Sequence, residues 1–569
     1  MGPQGEQTMR RIFLFALTLV LALPLTVPAR AAEPDAPQAL ITRTEAIRIA
    51  IQDRLSAKFT ATTEAKKSEQ GALVEYYAVP DQHLLWVDQN GLTDRGKAVI
   101  AEIKNADDYG LRASDYALPN PDEFNSADPK AADWLADAEI KIGYAVLDYA
   151  RDARGGRIQP ARISANLDPQ LALPNPTEVI ESIAFRSDPA GYLRSFQPDQ
   201  PQFEALRQKL IELRGGKVAA DKPAVIIPDG PLLKLGVQHE QVALLRNRLD
   251  IPAESADGTP VDANDFDEQV LDAVRHFQLT HGVVPDGVVG SGTRSLLNGA
   301  GRPHEAGSPV KIRAVLINME RWRWLPHDLG AFYVTVNIPE FMLRVVEDDK
   351  TAYTTRVVVG KPDKQTPIFS NEMQEIVFGP FWNVPTSIKI EEIRPYLREE
   401  ASWFGGGGWN TAVFQRHDLR MKINGREVDP GAVDWNQFDI RNTEIYQPPG
   451  PTNVLGRVKF VFPNKHDVYM HDTPQKFLFA NAVRAESHGC MRVQNPDQFA
   501  AVLLKHDQGW SQTRTMSAID TGYDQHVALQ QKIPVYITYF TLKVNPDGSL
   551  SSYGDIYGHD ARMAAALRL

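Results

Sequence analysis

Residues 469–496 read YMHDTPQKFLFANAVRAESHGCMRVQNP and hold the single cysteine of the chain. Cys490 follows His488 by two positions and His471 by nineteen. A thiolate that attacks a carbonyl needs a base to take its proton and N–H donors for the oxyanion that forms. His471 can be the base. Gly489 permits a tight turn that brings the N–H groups of Gly489 and Cys490 to one point. Arg492, two residues further on and so on the same side of a strand as Cys490, adds positive charge. An ordinary thiol, with a pKa of about 8.5, is scarcely ionised at neutral pH, and a nearby imidazolium together with Arg492 raises the ionised fraction. The same residues also fit an inert buried thiol beside two histidines used for packing. His417 and His466 lie in the same half of the chain, but no HExxH or CxxC accompanies any of the four histidines, so neither a metal nor a cofactor is expected.

These groups need elements to position them. VYMH reads as a strand ending at His471, residues 472–486 as a loop that folds back, and Ser487-His488-Gly489-Cys490 as a sharp turn before the strand MRV. Asn495, Pro496 and Gln498 then suit the N-cap, N1 and N3 positions of a helix running into FAAVLLKH. Period-two, β-branched runs begin at residue 312 with IRAVLINME, AFYVTVNIP, FMLRVVED, TTRVVVG and EIVFGPFWNVP, and continue through VKFVFP, DVYMH, MRV and VYITYF. They predict a mainly β domain over 310–543. Within it, 398–451 is long, rich in Trp and Gly and weakly periodic, which predicts a flexible capping loop. Its glycines 405–408 are no phosphate cradle, because no Gly-Lys-Ser/Thr follows. Trp403, Trp409 and Trp435 are candidate walls of that lid. Tyr469, Ser487 and Trp382 are candidate substrate-lining residues, although Tyr469 and Trp382 fit a core equally well.

Upstream, residues 40–228 predict a helical scaffold, best seen in 134–158 and 201–216, where apolar residues recur at helical spacing before paired glycines. Residues 231–300 form a compact unit with a helix capped by Asp265 or Asp267. There AVRHFQ, then GV, then DGVVGSGT follow the pattern of a helix ending AVxxFQ, then GL and DGxxGxxT. This unit resembles the three-helix peptidoglycan-binding domain. Residues 544–569 read as a polar tail. The predicted fold is therefore multidomain α+β: a helical scaffold, a small three-helix domain, then a mainly β domain with a capping loop.

Composition narrows the setting. Arg10 and Arg11 precede an apolar run broken at Pro24 and followed by Ala29-Arg30-Ala31, which predicts a signal peptide over residues 1–31 and export without an integral membrane segment. A lone cysteine in an exported chain is buried and inert, an intermolecular link, or a reactive group. A formal net charge of -11 argues against nucleic acid as a partner.

His471, fifteen intervening residues, then Ser487-His488-Gly489-Cys490-Met491-Arg492 resembles the signature of the YkuD-type L,D-transpeptidases. The order of the predicted domains is similar to that of the larger periplasmic members, over nearly all of 40–545. The resemblance implies Cys490 as nucleophile, His471 as its base, the backbone carbonyl of Asp472 orienting the imidazole, His488 and Gly489 shaping the turn and Arg492 steadying it or a substrate carboxylate. It implies a periplasmic enzyme of cell-wall organisation and cell shape. Cys490 would attack the third residue of a tetrapeptide stem, expel D-Ala and form 3-3 cross-links, with carbapenems as acylating inhibitors. Stem peptides and glycan would be its partners, and other cell-wall synthases are candidates. An L,D-carboxypeptidase, a lipoprotein-anchoring transpeptidase and a non-catalytic wall-binding scaffold remain as alternatives.

Overall fold

The computed structural model describes residues 42–57, 63–80, 82–215, 225–249, 251–254, 260–280, 286–299, 309–399 and 408–569. The expected signal peptide, Trp403 and glycines 405–407 lie outside the described residues.

The scaffold is helical and organised around Ala131–Ala153, whose Leu135, Ile142, Val146, Tyr149 and Ala150 are fully buried. One turn from Leu135, Glu139 is also fully buried. Its carboxylate accepts hydrogen bonds from the Tyr77 hydroxyl (2.6 Å) and from the backbone N–H groups of Leu85, Trp86 and Val87, so it ties the helix to the start of a short hairpin. Burial pushes this carboxyl up to about 7 despite those donors.

The small domain packs Glu240–Arg248, Glu268–Thr280 and Ser291–Gly299 around Val242, Leu245, Val270, Val274, Val289 and Leu297. Asp267 caps the middle helix by accepting from the Val270 N–H at 3.0 Å. The buried Gln278 amide grips the DGVVG turn. It donates to Asp286 Oδ1 (2.7 Å) and the Val288 carbonyl (3.0 Å) and accepts from the Gly287 N–H (2.8 Å). Gly287 has φ +75° and a Cβ there would collide with Leu271, so the turn demands glycine.

Among the described residues, nine strands form the main sheet: β1 (Phe332–Asn337), β2 (Met342–Glu347), β3 (Lys350–Gly360), β4 (Ser370–Phe378), β5 (Val458–Val461), β6 (Met470–His471), β7 (Ala485–Ser487), β8 (Met491–Val493) and β9 (Gln525–Thr538). Their order is β7-β3-β8-β6-β5-β4-β9-β1-β2, and β2 also pairs with β3, which closes the sheet on itself. Alternate residues such as Val334, Val336, Leu343, Val345, Ile376 and Phe460 fill the interior with no exposure.

Three expectations need correction. IRAVLINME is not a strand: it lies in the helix Pro309–Trp322, where Val315, Leu316 and Met319 take helical i, i+1, i+4 spacing and pack on Pro201–Arg214. The scaffold also meets the β domain directly: Leu167 is buried in the core of that domain and Asn166 and Asp168 exchange backbone hydrogen bonds with Ile368 (2.7 and 2.9 Å). The capping segment is a folded subdomain rather than an irregular loop. Its strands Trp382–Asn383, Arg420–Ile423, Arg426–Glu427 and Glu444–Gln447 form a separate sheet over a core of Val384, Leu397, Phe414, Met421, Trp435 and Ile445. Finally, the polar tail is a hairpin, Leu542–Val544 with Leu550–Ser552, and a helix, His559–Leu567, with Tyr557, His559, Met563 and Leu567 buried. Its apolar residues are too sparse to signal burial along the chain, yet Met563 and Leu567 join the core of the β domain while Leu542 and Val544 join that of helices Pro201–Arg214 and Pro309–Trp322.

Candidate active site

The two short strands β6 and β8 run parallel, with Met470 opposite Met491 and His471 opposite Arg492. Alternation therefore puts Tyr469, His471, Cys490 and Arg492 on one face, while Met470 and Met491 point into the core with no exposure. One short parallel pair, with the residue just before each strand, thus assembles the whole constellation.

The turn is held from several sides. The Ser487 hydroxyl donates to the Cys490 carbonyl (2.6 Å) and accepts from the Gly489 N–H (3.1 Å). Gly489 takes φ +114°, a conformation that a side chain would strain. The Lys361 N–H donates to the Ser487 carbonyl at 2.9 Å. Ser487 is therefore spent on shaping the turn, and as a substrate-lining residue it is corrected.

His471 is buried, and its Nδ1 meets the carbonyl oxygen of Asp472. That contact leaves Nε2 as the nitrogen free to take a proton. Burial, reinforced by the Arg492 charge, pushes the imidazole down to about 3, with the Asp472 carbonyl opposing. The Asp472 carboxylate faces elsewhere and accepts from the N–H groups of Arg457 (2.9 Å) and Thr473 (2.7 Å) and from Lys476 Nζ (2.5 Å).

Burial pushes the Cys490 thiol up to about 11. Tyr469, through its backbone and its hydroxyl, and the cations Lys459 and Arg492 all pull in the other direction. At neutral pH the resting pair is thus thiol and neutral imidazole, so proton transfer must accompany attack. Lys459 was not anticipated: it lies on β5 directly across from His471, with Nζ 4.1 Å from the Tyr469 ring centroid. The Arg492 guanidinium donates to Gln475 Oε1 in the loop that follows His471.

The aromatic candidates separate. Trp382 lies near Tyr469, whose phenol burial pushes well up and the indole partly pulls back. Trp409 instead packs against the cap's own core, and Trp435 is 1% exposed with its Nε1 donating to the Pro430 carbonyl at 2.9 Å. As a wall of a pocket over Cys490 Trp435 is corrected, because the cap folds around it, whereas Trp409, like Trp382, lies against the cap core and stays partly exposed. His488 points out of the turn to Glu392 Oε1 at 2.7 Å, and Lys364 reaches the adjacent Glu391 at 2.7 Å. Both glutamates lie on a π-helical turn, Lys389–Ile393, at the base of the cap. His488 thus ties the Cys490 turn to the cap. His466 pairs with Asp168 of the scaffold at 2.9 Å. Among the described residues no group of three or more His, Cys, Asp or Glu could hold a metal ion.

Comparison with known proteins agrees with this layout. Residues 331–515 match the family described as the L,D-transpeptidase catalytic domain, 238–297 a "Putative peptidoglycan binding domain" and 71–210 a scaffold domain. A relative from Haemophilus influenzae, named "Putative L,D-transpeptidase", is 29% identical over 251 residues, which are 44% of this chain and 48% of that protein. The chain thus matches about half the length of that relative. Among solved structures, an L,D-transpeptidase from Xylanimonas cellulosilytica aligns at 16% identity over 55% of this chain and 99% of that one, with a TM-score of 0.18. A cysteine-to-serine mutant of an Enterococcus faecium L,D-transpeptidase aligns at 12% identity over 37% and 50%, with a TM-score of 0.15. Scores this low carry no argument about the fold. The sequence matches do: the chain carries a YkuD-type L,D-transpeptidase catalytic domain, preceded by a scaffold domain and a peptidoglycan-binding domain.

Proposed function

We propose that the protein is an L,D-transpeptidase that forms 3-3 cross-links between peptidoglycan stems through an acyl-enzyme on Cys490. The observation that carries the reading is the shared face of β6 and β8, where His471 with its Nδ1 engaged stands beside the Cys490 turn. His471 Nε2 takes the thiol proton as sulfur attacks the carbonyl of the third stem residue. The Gly489 N–H is taken up by the Ser487 hydroxyl, so the donor that the turn offers to the oxyanion is the Cys490 N–H. Collapse breaks the peptide bond, and the proton held by His471 leaves on the amine of D-Ala. The side-chain amine of a second stem then attacks the thioester, loses its proton to His471 and frees the thiol.

Transfer to an amine must outrun hydrolysis, so a site that closes over its thioester is favoured. The folded cap tethered at His488 supports that reading. A wall-binding domain raises the effective concentration of an enzyme on an insoluble polymer. Such a protein works outside the cytoplasm, in the periplasm.

The test is incubation of the mature protein and Cys490→Ala with a disaccharide-tetrapeptide, followed by intact-mass and product analysis. Loss of D-Ala with a cross-linked dimer in wild type alone is expected. Loss of D-Ala without dimer would reassign the enzyme as a carboxypeptidase. A folded wild type that neither releases D-Ala nor forms an adduct would overturn the catalytic reading.

A further inference from the structure

The nucleophile turn is anchored by residues far from it in sequence. Thr366, fully buried, donates its hydroxyl to the Gly489 carbonyl at 2.7 Å and accepts from the Gly360 N–H at 2.9 Å. The Tyr557 hydroxyl donates to the Gly360 carbonyl at 2.7 Å and accepts from the Thr366 N–H at 3.2 Å. One phenol therefore clamps both ends of the 360–366 loop, at a place where a Cβ on Gly360 would collide with the Lys364 carbonyl. Tyr557 is itself fixed: its N–H donates to the Tyr539 hydroxyl (2.8 Å), which donates to Asp555 (2.7 Å). Burial pushes the Tyr557 phenol up to about 12, so it keeps its proton and remains a donor.

The geometry of the peptide unit turns this anchoring into catalysis. The Gly489 carbonyl and the Cys490 N–H belong to one planar amide and point in opposite directions. A hydrogen bond that fixes the carbonyl on the buried side therefore aims the N–H at the open side, where the oxyanion of the acylation step would form. We infer that Thr366 and, through it, Tyr557 of the C-terminal segment are positioning residues for the oxyanion-binding amide of Cys490. The inference rests on the acyl-transfer reading above.

The experiment measures two reactions of the same sulfur in full-length protein: acylation by the disaccharide-tetrapeptide, which builds an oxyanion, and alkylation by iodoacetamide, which does not. Thr366→Val and Tyr557→Phe are expected to slow acylation by roughly 10- to 100-fold, mainly in kcat with KM little changed, while alkylation proceeds at the wild-type rate. Thr366→Ser, which keeps the hydroxyl, should restore acylation, and it carries the test alone if Tyr557→Phe fails to fold. Equal acylation in wild type and folded Thr366→Val overturns the inference. So does parallel loss of both reactions, since that marks general damage to the turn. If wild type itself does not acylate, the transpeptidase reading fails in the wild-type arm and the inference falls with it, because no oxyanion is left to hold.

Discussion

Lys459 Nζ stands 4.1 Å from the centroid of the Tyr469 ring, and both side chains have the Cys490 sulfur as a neighbour. Burial lowers the lysine pKa and raises those of the tyrosine and the thiol, so three desolvated groups share one small volume. The lysine charge is a main influence favouring thiolate. Lys459→Met should therefore slow iodoacetamide alkylation of Cys490 at pH 8 by roughly 3- to 10-fold and move its alkaline limb upward. An unchanged rate would show that Lys459 does not act on the sulfur.

The same shifts predict how stability varies with pH. Between the ordinary thiol value of about 8.5 and about 11, the folded state keeps a proton on Cys490 that the unfolded chain has lost. Stability should fall as pH rises through that window, and Cys490→Ala should flatten the slope. His471 works with the opposite sign. Between 6.5 and about 3 the unfolded chain binds a proton that the buried imidazole refuses, so stability should fall as pH drops through that range. His471→Asn should flatten the acid side. Urea unfolding at pH 4, 7 and 10 reads both effects.

The tether between turn and cap separates stability from product choice. His488 and Glu392 are 38% and 48% exposed, so their 2.7 Å pair contributes at most about 1 kcal/mol to folding. Glu392→Gln together with Glu391→Gln should leave the unfolding midpoint almost unchanged. If the cap shields the acyl-enzyme, the same variant should raise the ratio of hydrolysed to cross-linked product. An unaltered ratio would remove the cap base from control of water.

Asn453 joins the two roots of the cap. Fully buried, it donates to the Pro380 and Pro448 carbonyls, both at 2.9 Å, and accepts from the Leu455 N–H at 2.8 Å. Asn453→Ala leaves those buried groups unpaired and should cost about 2–4 kcal/mol, read by urea unfolding. A loss below the precision of that measurement would mean that water replaces the amide.

What could be read from the chain, and what could not, follows from distance along it. Ser487 to Arg492 is a continuous string whose turn is made by its own glycine, so its geometry is written where its chemistry is. Gln278 and the DGVVG turn are nearly as local. Lys459, Thr366 and Tyr557 reach the site only through strand pairing and core packing, and no local pattern marks any of them. IRAVLINME misleads because β-branched residues satisfy a period of two, while tertiary contact with Pro201–Arg214 selects the period that buries Val315 and Met319. The cap looked irregular because its core, from Val384 to Ile445, is spread thinly over some sixty residues.

The hold of Tyr557 on the loop that anchors the Cys490 turn also gives synthesis a direction. Residue 557 follows Cys490 by 67 positions. As the chain is built from its N-terminus, the scaffold and the wall-binding unit can fold early. The Gly489 carbonyl, by contrast, waits for a loop whose clamp emerges long after the loop itself. The sulfur is therefore made well before the scaffolding that aims its amide, and a nascent chain stalled short of residue 557 would display the whole SHGC string without the geometry to use it.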